Sequence, residues 1–143
     1  MSRKSLLLAL PLALALGACV QVHASRLGEG THYEPVPRGQ VRVYQAESDV
    51  PGDFEKVALL FVSANADVIN HHDMIEAARK KAGRLGANAI ILGEFEDPKF
   101  TTRVAAAVLN VPVERRTQML AVRVLRPGET ASGQEPQVIE LEL

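Results

Sequence analysis

The sequence predicts an α+β domain, a small, mostly antiparallel sheet with one main helix packed on it. Two observations carry that expectation. An amphipathic pattern from His72 to Leu85 stands between two short apolar runs, Val57 to Val62 and Ala89 to Leu92, giving a βαβ-like unit over residues 57–92. Further runs at Val41 to Gln45 and Gln118 to Leu125 alternate apolar with polar residues at the period of a strand.

The chain opens with Arg3 and Lys4, an apolar run from Leu6 to Leu16, and then Gly17, Ala18 and Cys19, the three-part layout of a secretory signal. Eleven helical residues rise about 16 Å, against a hydrocarbon core of about 30 Å, and Pro11 interrupts them. The run is expected to be cleaved, not to span. Leu16-Gly17-Ala18-Cys19 resembles the lipobox of bacterial lipoproteins. The resemblance implies that residues 1–18 are a signal peptide cut between Ala18 and Cys19. It also implies that the Cys19 thiol carries a diacylglycerol and that the new amino group is acylated. One myristoyl chain holds marginally at about 0.8 kcal/mol per buried methylene, so two or three chains hold effectively permanently. In that family an aspartate after the cysteine favours the inner membrane. Here that residue is Val20, which implies the periplasmic face of the outer membrane.

Loss of the signal leaves 125 of the 143 residues, the size of one domain with one core. It leaves 14 basic against 17 acidic residues, a formal charge of −3, which argues against nucleic acid as a partner. Cys19 is the single cysteine, so packing and not a disulfide framework must hold the fold. With no tryptophan, aromatic platforms for sugars or bases are not expected.

Residues 19–39 read as the lipidated cysteine and a tether, broken by Gly28, Gly30, Pro35 and Pro37. As a flexible coil, twenty such residues span roughly 25 Å. The α+β domain then covers residues 40–126. Val41 to Gln45 reads as a strand, and Pro51-Gly52-Asp53 as a turn. Val57 to Val62 reads as a central strand covered on both faces, neighbouring the first.

The helix starts with Asp73 and Glu76 spaced like a capping box and ends before Gly86, a ready left-handed cap. Ile75, Ala78, Ala82 and Leu85, flanked by Met74, share one face. Glu76, Arg79, Lys80 and Arg84 share the other, with Glu76 and Lys80 as an i,i+4 pair. Small Ala78, Ala82 and Gly83 predict close approach to a sheet. Ala89 to Leu92 follows as a strand. Thr101 to Leu109 places Val104, Ala105, Val108 and Leu109 at helical spacing, and an extended run fits it too. Gln118 to Leu125 is a strand with Leu120, Val122 and Val124 on one side. Residues 127–143 read as a linker and a C-terminal edge strand or interaction tail, in which Ile139, Leu141 and Leu143 alternate with Glu140 and Glu142.

The run from Ala77 through Leu85-Gly86-Ala87-Asn88-Ala89 to Leu92 resembles a pattern in small envelope lipoproteins related to the Rcs stress-sensor lipoprotein and in YbjQ-like domains. Val57-Ala58-Leu59-Leu60, and Glu114-Arg115-Arg116 before Leu120-Ala121-Val122, are similar to the same group, so the likeness covers roughly residues 41–125. It implies the α+β fold and an envelope setting. The stress sensor's paired cysteines have no counterpart in this domain, which separates the chain from that signalling role. Metal binding, suggested for YbjQ-like domains, depends on ligands in this chain.

Asp67, Asn70, His71, His72 and Asp73 gather the candidate metal ligands at the head of the helix. Adjacent imidazoles diverge, and structural zinc takes four ligands, usually including cysteine. Solvated capping residues explain the group better, while His23 and His32 fall in the tether. Ser63 ends a strand without a nucleophile elbow. Glu94 and Glu96 could face the same way as an acid–base pair, or form a solvated strand end with Asp97. Neither a phosphate loop nor a dinucleotide fingerprint occurs, and no cofactor is expected. Arg79, Lys80, Lys81 and Arg84 make a basic helical face for anionic headgroups or for solvent.

The expectation is a non-catalytic, lipid-anchored binding, sensing or scaffold module, not an enzyme, facing the periplasm with an envelope protein as partner. The alternative is a lipoprotein that binds a small ligand or metal ion through His71 and His72.

Overall fold

In a computed structural model, which describes residues 20–27 and 32–128, the chain forms a five-stranded sheet with helices attached, an α+β fold. The expected signal peptide (1–18), Cys19 and the expected C-terminal edge strand (138–143) lie outside the described residues.

The strands are β1 (Gln21–Arg26), β2 (Arg42–Tyr44), β3 (Phe54–Asn65), β4 (Ala89–Glu96) and β5 (Glu114–Val124), in the spatial order β1-β3-β5-β4-β2. The β1–β3, β3–β5 and β5–β4 pairings are antiparallel, while β2 runs parallel to β4. Helix α1 (His71–Arg84) links β3 to β4, and α2 (Phe100–Leu109) links β4 to β5. Strands β3 and β4 are therefore parallel but separated by β5, a split βαβ unit. Among the described residues no helix is long and apolar enough to cross a membrane.

One principal core lies between α1 and the sheet. Ala58, Leu60 and Val62 of β3, Ile90 of β4, and Met119 and Ala121 of β5 point inward at alternate positions and meet Met74, Ala78 and Ala82 of α1. Helix α1 begins one residue before the expected start. Its cap is Asn70, whose side-chain oxygen accepts from the Asp73 amide at 2.9 Å, in place of the Asp73–Glu76 box. Glu76 accepts from Arg79 at 2.6 Å and approaches Arg38 at 3.4 Å, so the expected Glu76–Lys80 pair gives way to partners with a longer reach. Arg79 also donates to the Val41 carbonyl at 2.9 Å, which removes it from the basic face.

Further expectations are corrected. Residues 21–26, expected as tether, form edge strand β1, and residues 32–37 lie along the end of α1. Val36 donates to the Gly83 carbonyl at 2.8 Å, so the close approach at Gly83 is to this strap and not to the sheet. Val20, Val22 and Ala24 alternate inward against the principal core, so packing outweighs the freedom of a tether.

Val41 to Gln45 does not neighbour Val57 to Val62. Strand β2 sits at the far edge beside β4, because β1, with six residues against three, takes the open edge of β3. Nor is β3 covered on both faces, for Phe61 is 42% exposed on the side away from α1.

On that second face Leu120, Val122 and Val124 do align as expected. They join Ala89, Ile91, Phe54 and Tyr44 in a smaller apolar cluster, with Val50 folded over it. Asn88 closes the joint between α1 and β4. Its amide donates to the Val124 carbonyl at 3.0 Å and accepts from the Val124 amide at 2.7 Å, extending the ladder with a side chain where the strand has not yet begun.

Candidate functional site

The end of the sheet distant from the smaller cluster carries a polar hollow of about 810 Å³ on the face opposite α1. Strand pairing builds it in rows. Gln21, Ser63, Arg116 and Glu96 stand side by side across β1, β3, β5 and β4. In the next row His23 opposes Phe61, which opposes Gln118.

A bulge between Leu92 and Phe95 brings Glu94 to the rim and turns Phe95 toward the core. Gly93 makes the bulge possible, since a Cβ there would lie 2.0 Å from the Gln118 carbonyl oxygen. Thr117 secures it by donating to the Glu94 carbonyl at 2.9 Å.

The hollow mixes charge and apolar surface. Arg116 pairs with Glu114 at 2.7 Å, and this carboxylate's hydrogen bond and charge hold the guanidinium pKa above its usual value. Phe61 adds a half-exposed ring among amide and carboxylate groups. Ser63 is flanked in its row by Gln21 and Arg116, neither of which takes up a proton at neutral pH. Glu94 and Glu96 line the same hollow, as the carboxylate-pair expectation required, but through the bulge and not through simple alternation.

His71 and His72 are both exposed at the head of α1. The His71 Nε2 lies 3.4 Å from Asp97 and its ring packs on Phe95 with centroids 4.3 Å apart. Asp97 also accepts a hydrogen bond from Arg115, which donates in turn to the Ile69 carbonyl at 2.7 Å. This node ties the head of α1 to the ends of β4 and β5, with Asp97 between His71 and Arg115. Among the described residues no group of three or more His, Cys, Asp or Glu side chains is placed to hold a metal ion.

The Arg115 hydrogen bond lowers the Asp97 pKa, opposed in part by desolvation and supported by the charges of Arg115 and His71. A lowered pKa in the folded state stabilises above the ordinary value of 3.8 and is lost as pH falls through the folded value. Asp97→Asn should therefore reduce stability at neutral pH, and urea titrations at several pH values should show the gap to wild type closing below that ordinary value.

Sequence alone places Gln21 and His23 in the tether, yet both line the hollow. The signal that finds them is the strict alternation of Val20, Val22 and Ala24 with Gln21, His23 and Ser25. His32 is exposed ahead of Tyr33.

No protein-family model and no curated protein sequence matches the chain. Among solved structures, the Francisella virulence factor FvfA is similar over 71% of this chain and 96% of its own, at 17% identity and a TM-score of 0.47.

Proposed function

We propose that the protein is a lipid-anchored envelope protein facing the periplasm, held at the outer membrane through Cys19. Its domain is a non-catalytic binding or sensing module whose partner is another envelope protein. The observation that carries the anchoring is Leu16-Gly17-Ala18-Cys19 closing a basic and then apolar opening. The similarity of residues 41–125 to small envelope lipoproteins supports the setting. The binding role is supported by the open end of the sheet, where Phe61, His23 and Arg116 share a hollow shaped by a bulge.

The test is intact mass combined with membrane fractionation of the native chain and of Cys19→Ala. The native chain should begin at Cys19, carry acyl chains and sediment with outer membranes, while the variant should carry no diacylglycerol and leave that fraction. A native chain without acyl chains in the soluble fraction would refute the anchoring. A photo-crosslinking residue at position 61, compared with one at position 80 on α1, then identifies the partner of the hollow.

A further inference from the structure

Helix α2 presents an apolar face that the rest of the domain leaves uncovered. Phe100, Val104 and Val108 are 80%, 48% and 80% exposed and stack at four-residue intervals, with Leu109 and Val111 beside them at 70% and 51%. The side that touches the domain is marked by Ala106, 7% exposed and about 200° round the helix from Val104. Two contacts fix this orientation. Arg103 pairs with Asp67 at 3.2 Å, and the Ala66 amide donates to the Val113 carbonyl at 2.8 Å.

The position of α2 says what covers it. The row Gln21, Ser63, Arg116 and Glu96 marks one end of the sheet. Helix α2 begins at that end four residues after Glu96 and finishes five residues before Glu114. Strand β1 also starts at that end, at Gln21, two positions of sequence after Cys19. With residues 21–26 in the sheet, the chain between Cys19 and the domain is a single residue, Val20.

We infer that α2 lies in the membrane interface, its Phe100, Val104 and Val108 face inserted among the lipids that hold the Cys19 acyl chains. The inference rests on the anchoring proposed above. Ten residues span about 15 Å, half the hydrocarbon core, so α2 lies along the surface with its apolar face about 5–10 Å into the headgroup boundary. The acyl chains supply the affinity and α2 fixes the orientation, setting β1 and the neighbouring hollow close to the bilayer.

The test uses the full chain, exported and processed, with acylation checked by intact mass. It is reconstituted in phosphatidylethanolamine–phosphatidylglycerol vesicles containing a lipid-borne quencher. An environment-sensitive fluorophore is attached at Val104→Cys, or at Asp53→Cys beyond the opposite end of the sheet. Quenching at position 104 should be several-fold stronger than at 53 and fall when Val108→Asp is added, with the chain still bound to the vesicles. An acylated chain whose two positions are quenched equally overturns the inference and leaves the anchor standing. Shielding at 104 by a second copy, seen as crosslinks between chains without lipid quenching, also overturns it. A chain without acyl groups removes both readings at once.

Discussion

Gly86→Ala is expected to lower the stability of the domain by ~2–4 kcal/mol, about 1 for a left-handed backbone and ~1–3 for overpacking. Gly86 ends α1 with φ at +86°, and a Cβ there would sit 2.3 Å from the Tyr33 Cβ and 2.8 Å from its carbonyl oxygen. The strap at 32–37 would have to lift. Tyr33 hydrogen-bonds to Glu55 and faces the Arg123 guanidinium with 4.9 Å between its ring centroid and Cζ, so lifting it disturbs β3 and β5 as well. Gly52 provides the control, since its φ is +80° but nothing lies within 4 Å of a built Cβ. Gly52→Ala should cost only the backbone part. Urea unfolding followed by far-ultraviolet circular dichroism checks both, and equal losses would show that the strap does not press on Gly86.

Leu60→Ala should cost ~2–5 kcal/mol, because a fully buried leucine leaves a cavity between sheet and helix that rigid neighbours do not refill. Against a total stability of about 5–15 kcal/mol this is enough to leave a marginal domain partly unfolded. Phe61→Ala removes a larger side chain from the next position, yet it should cost less, since that ring is 42% exposed on the opposite face. The pair measures the sidedness of the sheet directly. A larger loss at Phe61 would mean that the open face is covered in solution.

Helix α1 was legible because its information is local. The spacing of Met74, Ala78 and Ala82, the run into Gly86 and the short link to Ala89 depend on residues within a few turns of one another. Strand β1 was equally periodic, but its position after the lipobox, before a breaker-rich stretch, suggested a tether. Its alternation acquires a meaning only when Ala58, Leu60 and Val62 are there to receive Val22 and Ala24. The candidate site divided in the same way. Ser63, Glu94 and Glu96 were visible as polar residues at strand ends, whereas Gln21, His23, Phe61, Arg116 and Gln118 became a site through strand pairing across 97 positions of sequence.

The sequence by itself determined the α+β class, the main helix and its glycine cap, and the alternation of Leu120, Val122 and Val124, all consequences of short-range periodicity. It also supplied the motif on which the proposed anchor rests. The tertiary structure decided the order β1-β3-β5-β4-β2, the use of residues 21–26 as an edge strand and the exposed face of α2. Strand order is a choice among distant partners, governed by how much apolar surface each pairing buries. A single strand or helix declares which of its faces is apolar, but not what will cover it.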